Sequence, residues 1–163
     1  INDNGKEFIT DIFSKGDFFG FNAIIEDRNY SDNADTLEET DLMLIPREEF
    51  LSLFTNDAQV SKHFIKLITK NVFEKEEALI NLAYNSLRKK VAFGLIRVLE
   101  KYRNEKADNS ISELSRENLA QLIGVATESL IRTLADFKSE GLINLEPSKI
   151  IIINEKKIRD LPC

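Results

Sequence analysis

The sequence contains very little cysteine and histidine, and this scarcity excludes several kinds of site. Cys163 is the only cysteine among 163 residues, so neither an intramolecular disulfide framework nor a four-cysteine iron–sulfur site can form within this chain. A single cysteine is also typical of a reducing compartment, and we expect a cytoplasmic protein. His63 is the only histidine. Because a metal site normally needs several ligands, we expect a surface or interface histidine, no bound metal and no cofactor.

Two further absences concern membranes and catalysis. No apolar run approaches the roughly 18 residues of a membrane-spanning helix, and we expect no membrane partner. The chain has no glycine-rich phosphate-binding loop and no Ser/His/Asp set, and pairs such as Glu38-Glu39 lie in polar surroundings. The sequence therefore does not indicate an enzyme.

The charge is unevenly distributed along the chain. A formal net charge of −6 argues against a protein that binds nucleic acids through charge alone. Residues 1–56 hold 13 Asp/Glu and 4 Lys/Arg, a net of −9, whereas residues 57–163 hold 15 and 18, a net of +3. An acidic module joined to a mildly basic one fits a regulator, although a solvated acidic face gives the same counts.

The first 45 residues have the pattern of β-structure. Alternation from residue 8 to 13 and the composition of residues 40–45 predict strands. The opening residues predict a hairpin that turns at Asn4-Gly5. Because such a strand lacks its upstream neighbours, we expect the chain to be part of a longer protein. Seven phenylalanines are predicted to form the core of this module or, alternatively, an apolar effector pocket. They are Phe8, Phe13, Phe18, Phe19, Phe21, Phe50 and Phe54.

Helical patterns follow these residues. Residues 47–54 predict a short helix, residues 57–84 a long helix, and residues 87–102 a third helix that Ser86 caps. The long helix has an apolar seam that is predicted to pair with a second copy of the chain or to pack on its own β module. The seam consists of Ile65, Ile68, Val72, Leu79 and Leu82. The third helix is predicted to bury Val91, Leu95, Val98 and Leu99.

Residues 115–153 carry the most specific pattern. Ser115 can cap a short helix, Gly124 supplies a left-handed turn, and a second helix begins near Thr127. Gly141 ends that helix, and residues 142–145 and 150–153 predict two strands joined by a turn. Helix, turn, helix and hairpin in this order predict a winged helix-turn-helix.

The second helix of this pattern has two opposite faces. Leu130, Leu134 and Phe137 recur at helical spacing and are predicted to be buried. Glu128 lies about 200° of rotation from Leu130, and Arg132 follows Glu128 by one turn. Arginine matches O6 and N7 of guanine, and glutamate can accept from N4 of cytosine. The pattern predicts a DNA-reading helix; the alternative is a helical hairpin with a surface ion pair worth a few tenths of a kcal/mol.

An acidic β module, a long helix and a C-terminal winged helix, in this order, resemble the Crp–Fnr family of bacterial transcription regulators. The resemblance runs from Asp3 to about Leu161. Its most specific parts are Lys15-Gly16-Asp17-Phe18-Phe19-Gly20 and Glu128-Ser129-Leu130-Ile131-Arg132. It implies an α+β fold: a partial β-roll (a cyclic-nucleotide-binding-like jelly roll that lacks its start) in residues 1–56, a dimerisation helix in residues 57–85 and a winged helix-turn-helix in residues 86–163.

The resemblance also implies a function and a set of DNA-binding residues. It implies a homodimeric, sequence-specific regulator that binds double-stranded DNA and RNA polymerase. The family places Ser or a second Arg in the two positions before the recognition Glu; Ala126 and Thr127 stand there here. This implies a different half-site, with Thr127 expected to take over the helix cap. The residues expected to bind DNA are Ser115, Arg116, Thr127, Glu128, Ser129, Arg132 and Lys149.

The same comparison argues against cyclic-nucleotide binding. Members that bind cyclic nucleotides follow the Gly-Asp-Phe-x-Gly stretch with a Glu for the ribose, and an Arg-Ser pair about ten residues later holds the phosphate. Phe21 and Ser31-Asp32 occupy these places here, and Arg28 is out of register. An aspartate in place of the cation turns attraction for a phosphate into repulsion. We expect a degenerate pocket for an unknown effector at Phe19, Gly20, Phe21, Ser31 and Asp32.

A second function is compatible with these features. A dimeric ligand sensor or scaffold protein could use the same winged helix to bind protein rather than DNA. Binding to operator DNA that weakens with salt distinguishes the two functions.

Overall fold

The computed structural model describes residues 8–103, 109–112 and 114–162. The expected hairpin turn at Asn4-Gly5 and the side chain of Cys163 lie outside these residues. Helices and short strands alternate in the C-terminal half, and the α+β class is confirmed. The elements are α1 (Phe21–Ile25), α2 (Arg47–Asn56), α3 (Ala58–Tyr84), α4 (Leu87–Arg103), β1 (Ser110–Ile111), α5 (Arg116–Ile123), α6 (Thr127–Ser139), β2 (Ile143–Leu145), β3 (Ile150–Ile152) and α7 (Glu155–Arg159).

The chain divides into two compact units. The first comprises Ile1–Phe18 with Asn81–Cys163, and the second comprises Phe19–Ile80. In the first unit, Ile12 packs against the core of the C-terminal half, and Lys101 Nζ lies 2.8 Å from Asp17 Oδ2. The part of the chain before α2 therefore contributes to both units.

The prediction of strands within residues 8–13 and 40–45 is wrong. The described residues from 8 to 45 contain the short helix α1 and no strand. Leu42, Met43 and Leu44 lie in the second predicted strand and are exposed, Met43 by 89%. A strand needs a neighbouring strand for its backbone N–H and C=O groups, and an isolated stretch gains too little to form one. The expected partial β-roll is consequently absent as a sheet from residues 8–45.

An aromatic cluster forms the centre of the second unit. Phe64 of α3 is buried, and its ring centroid lies 4.9 Å from that of Phe21, 5.2 Å from Phe50 and 5.7 Å from Phe54. The predicted phenylalanine core is therefore correct for three residues. It is wrong for the other four, which are exposed because no sheet provides an inner face for them. These are Phe8, Phe13, Phe18 and Phe19.

The long helix α3 is confirmed. Asp57 precedes it, and its Oδ1 accepts hydrogen bonds from the backbone N–H groups of Gln59 and Val60 at 2.8 and 3.2 Å. The predicted seam stays largely exposed: Leu79 is exposed by 65%, and Ile65 and Val72 by half. Among the helices that the structure describes, none is both long and apolar enough to cross a membrane.

The winged helix-turn-helix is confirmed, and α4 forms the centre of its core. Ser86 Oγ accepts from the N–H of Lys89 at 3.3 Å, as expected of a cap. The four α4 side chains predicted to be buried are at most 1% exposed. They pack with buried residues from all elements that follow. The largest of these are Ile111, Leu119, Leu130, Leu134, Phe137, Leu142, Ile143, Ile150 and Ile158.

The sheet of this unit has three antiparallel strands in the order β1-β3-β2. Ile150 on the central strand pairs with Ile111 on one side and Leu145 on the other. Two short elements are not predicted by the sequence pattern. They are β1, which has two residues, and α7, which Asn154 caps by accepting from the N–H of Lys157 at 3.0 Å. Elements this short have too few residues to show a periodic pattern.

Candidate nucleic-acid interface

The first helix of the helix-turn-helix is fixed at both ends by its own sequence. Ser115 Oγ accepts from the N–H of Asn118 at 3.0 Å, so the predicted cap is confirmed. At the other end, Gly124 has φ 75° and donates to the carbonyl of Ala120 at 2.9 Å. This left-handed residue ends α5 and turns the chain toward α6.

The second helix begins without a side-chain cap. Its N-cap is Ala126, which has extended backbone angles and no side-chain acceptor. The expectation that Thr127 takes over the cap is wrong, because Thr127 is already the first helical residue and a capping side chain must come from the residue before it. The first N–H groups of α6 therefore lack the side-chain partner that a Ser or Asn at position 126 would provide.

Two faces of α6 differ as predicted in their burial. Leu130, Leu134 and Phe137 are at most 1% exposed and hold the helix on its core. Glu128 and Arg132 are exposed on the opposite face. Within the described part of the chain, neither side chain forms an ion pair or hydrogen bond, so the alternative of a Glu128–Arg132 pair does not occur. A carboxylate and a guanidinium are thus available to an external partner.

Arg88 fixes the C-terminal end of α6 on α4. Its guanidinium lies 4.6 Å from the ring centroid of Phe137 and forms an ion pair with Glu140. Stacking over an aromatic ring contributes about 0.5–1 kcal/mol at an exposed site. The orientation of α6 is therefore set by the buried stripe along its length and by this contact at its end.

The wing lies beside the start of α5. A tight turn joins β2 and β3, in which Glu146 N–H donates to the carbonyl of Lys149 at 3.0 Å. Arg116 Nη2 donates to the same carbonyl at 3.5 Å, and partial burial lowers the pKa of Arg116 below its usual value. The predicted residues Ser115, Arg116 and Lys149 are thus brought together. A shallow recess between these elements is lined by Leu114, Ser115, Arg116, Pro147 and Ser148.

Of the other predicted DNA-binding residues, Thr127 and Ser129 are half-buried at the start of α6, next to the exposed Glu128. Sequence reasoning missed Ile131, which is 52% exposed on the same helix. The sequence spacing alone places Ile131 about 60° from Glu128 around the helix axis, and this spacing could have identified it.

Three of the predicted effector residues, Phe19, Gly20 and Phe21, lie at the start of α1. Gly20 precedes the helix with φ 77°, and a side chain there would meet the ring of Tyr30 at 3.3 Å. Phe19 is exposed, whereas the ring of Phe21 packs edge-on against Phe64. The Phe21 ring has no oxygen that could accept hydrogen bonds from ribose hydroxyl groups, and it packs inside the aromatic cluster. It therefore cannot take the role of the carboxylate that binds ribose in the family.

The Ser31-Asp32 part of this region is exposed and dominated by acidic groups. Arg28 Nη1 donates to Ser31 Oγ at 3.3 Å, and Ser31 donates to Asp32. Arg28 also forms an ion pair with Glu26. The guanidinium nearest to Ser31 therefore already has a carboxylate partner, and a second carboxylate lies beside it.

Comparison with known proteins finds two domains in the predicted order. A model of the cyclic nucleotide-binding domain matches residues 1–57, and a model of the Crp-like helix-turn-helix domain matches residues 89–161. The chain is 22% identical over 157 residues to the "CRP-like cAMP-activated global transcriptional regulator" of Mycobacterium tuberculosis, covering 95% of this chain and 70% of that protein. It is 24% identical over 146 residues to the "Cyclic AMP receptor protein" of Thermus thermophilus, covering 90% and 65%.

Solved structures show the same fold. FixK2 from Bradyrhizobium japonicum has a TM-score of 0.65 at 16% identity, with 73% of this chain and 60% of that chain covered. A CRP/FNR-family transcriptional regulator from Thermus thermophilus has a TM-score of 0.57 at 19% identity, with 64% and 54% covered. The chain thus spans 54% and 60% of these two structures. The resemblance to the Crp–Fnr family inferred from the sequence is confirmed, because the two halves of the chain match a cyclic nucleotide-binding domain and a Crp-like helix-turn-helix domain in the order typical of that family.

Proposed function

We propose that the protein is a sequence-specific DNA-binding transcription regulator that acts in the cytoplasm as a homodimer and is not an enzyme. Residues 1–56 form its sensor region, residues 57–85 its dimerisation helix and residues 86–163 its DNA-binding domain. The observation that carries the proposal is the exposed pair of Glu128 and Arg132 on the face of α6 opposite its buried stripe.

This face has the dimensions of a base-reading surface. Four residues advance a helix by about 6 Å, so Glu128 and Arg132 are separated along the axis by close to two base-pair steps of about 3.4 Å. Arg132 can donate to the two acceptors of a guanine, and Glu128 can accept from a cytosine amino group. DNA phosphates repel the carboxylate of Glu128, so its exposed position on this face favours a role in reading bases.

A second set of side chains is suited to contact the DNA backbone. Arg116 and Lys149 lie together where α5 meets the wing, and Ser115 is exposed beside them. Two cations and a hydroxyl in this arrangement suit phosphate oxygens, which position a protein on DNA without reading its sequence. Thr127 and Ser129, at the start of α6, supply further hydroxyl groups for the same purpose.

The apolar seam of α3 supports the proposed homodimer. Its residues repeat at roughly seven-residue spacing, and Leu79 is exposed by 65% in the single chain. Pairing two copies of this helix buries the seam and places two recognition helices about 34 Å apart, one turn of DNA. Light scattering at micromolar concentration is expected to show a dimer for the wild type and a monomer for Leu79→Glu. Glu77→Lys changes a charge on the opposite face and should leave the dimer intact.

The proposed regulator does not depend on cyclic nucleotides, although two of the relatives are named for cyclic AMP. Phe21 packs on Phe64 in place of a ribose ligand, and Arg28 is engaged by Glu26. Titration calorimetry with cyclic AMP and cyclic GMP is expected to show no binding tighter than millimolar. Micromolar affinity for either nucleotide would mean that this site has been assigned incorrectly. The effector stays unidentified, and RNA polymerase is the proposed protein partner.

Substitutions on the two sets of side chains test DNA reading directly. Arg132→Ala should weaken binding to an operator by about 1–3 kcal/mol and relax the preference at one base pair. Lys149→Ala should weaken binding to all sequences about equally and lower the slope of log K against log salt by about 0.9. Fluorescence anisotropy with operator and random duplexes measures both effects. If neither variant changes affinity or preference, the winged helix binds protein rather than DNA.

A further inference from the structure

Ile131 is an apolar side chain on the face of α6 that otherwise presents Glu128 and Arg132. It is 52% exposed. Among the described residues from 109 to 162, Ile131 and Ile153 are the large hydrophobic side chains that remain exposed, and Ile153 lies outside α6, just after β3. An exposed isoleucine on a helix has apolar surface in contact with water, and a bound partner can bury this surface.

The helix geometry places Ile131 among the base-reading positions. With 100° of rotation per residue, Glu128, Ile131, Arg132 and Ala135 fall within about 100° on the exposed side. Ile131 is only about 1.5 Å from Arg132 along the helix axis. A base pair beside the one that Arg132 contacts is therefore within reach of Ile131.

The chemistry of the side chain limits what it can recognise. An aliphatic group neither donates nor accepts hydrogen bonds, and the apolar feature of a base pair in the major groove is the C5-methyl group of thymine. Cytosine lacks this methyl group, and its N4 amino group would lose water against isoleucine without gaining an acceptor. We propose that Ile131 is a specificity-determining residue that buries a thymine methyl group next to the base pair contacted by Arg132. This inference rests on the proposed DNA-binding function.

Removing single methyl groups from the operator tests the proposal. An operator is first selected from random duplexes by the wild-type protein, and each thymine is then replaced by uracil, which keeps base pairing and every polar group. At one thymine of each half-site, the replacement should weaken wild-type binding about fourfold, the change expected when one methyl group is no longer buried. Ile131→Ala should bind the thymine and uracil operators equally at that position, and Ile131→Val should retain part of the difference.

Ile153→Ala is the matched control, because it removes an isoleucine of similar exposure, 60%, away from α6 and should keep the full uracil effect. Equal melting temperatures of the variants establish that none has lost its fold. A selected operator whose thymine methyl groups are all dispensable, or whose uracil effect survives in Ile131→Ala, overturns this inference alone. Failure of the wild type to select any duplex overturns the proposed function, and this inference with it.

Discussion

Replacing Gly94 by alanine tests the close approach of α4 and α5 that positions the helix-turn-helix. A Cβ atom at position 94 would lie 2.3 Å from Cγ1 and 2.8 Å from Cδ1 of Ile123. Both distances are shorter than van der Waals contact. When alanine is present, either the Ile123 side chain must leave its rotamer or the last turn of α5 must shift away from α4.

Two opposing effects determine how much Gly94→Ala changes the free energy of unfolding. Alanine favours a helix interior over glycine by about 1 kcal/mol, whereas overpacking of a core costs about 1–3 kcal/mol. We expect a net loss of about 1 kcal/mol in the free energy of unfolding, together with weaker operator binding because α5 carries α6 and the wing with it. Urea unfolding followed by circular dichroism measures the first effect, and fluorescence anisotropy measures the second.

A double-mutant cycle identifies the cause. Ile123→Ala alone should cost about 2–5 kcal/mol, because it opens a cavity between the helices. In the Gly94→Ala background the same change should cost less by about 1–3 kcal/mol, because the added methyl group occupies the vacated space. If Gly94→Ala is as stable as the wild type, or if the cycle shows no coupling, the helices can separate freely and the argument from close packing fails.

Three further predictions concern stability. Leu134→Ala should lower the free energy of unfolding by about 3 kcal/mol without changing operator preference, because Leu134 lies in the core and not on the reading face. Gly124→Ala should cost about 1–2 kcal/mol from its left-handed backbone, and more than Gly141→Ala, since only at position 124 would the new Cβ meet a neighbour, Leu82 at 3.0 Å. Hydrogen bonds from Arg103 and Arg159 lower the pKa of Glu155 below its ordinary value of 4.5. Glu155→Gln should thus reduce stability by up to about 1 kcal/mol at neutral pH, and denaturant titrations should show this difference disappearing as the pH falls from 4.5 through the lowered pKa.

Local sequence signals were sufficient for the C-terminal half. A serine that can cap a helix, a glycine that can adopt a left-handed turn and three apolar residues at helical spacing each depend on neighbours within one or two turns. Ser115, Gly124 and the stripe from Leu130 to Phe137 were consequently placed correctly. The two opposite faces of α6 followed from the same spacing, and with them the candidate site.

Features that depend on distant partners were not predicted. Residues 40–45 have strand composition, but composition does not show whether a second strand is available to pair with them. The strand β1 was missed for the converse reason, since its two residues acquire strand geometry only by pairing with β3. The cap of α6 was also predicted at the wrong residue. Sequence patterns place a helix end only to within a residue or two, and the N-cap is Ala126 and not Thr127.

The pairing of β1 with β3 has a consequence for how the protein folds during synthesis. Ser110 pairs with Ile151, so both helices of the helix-turn-helix lie inside a loop that this contact closes. Closing a loop of about 40 residues costs more entropy than forming the β2–β3 hairpin, and such contacts form late. While the chain emerges from the ribosome, α4 to α6 can fold before β3 has been made, but β1 and β2 have no strand to join. The sheet of this domain can therefore form only after the central strand β3, which follows both of its neighbours in the chain, has left the ribosome.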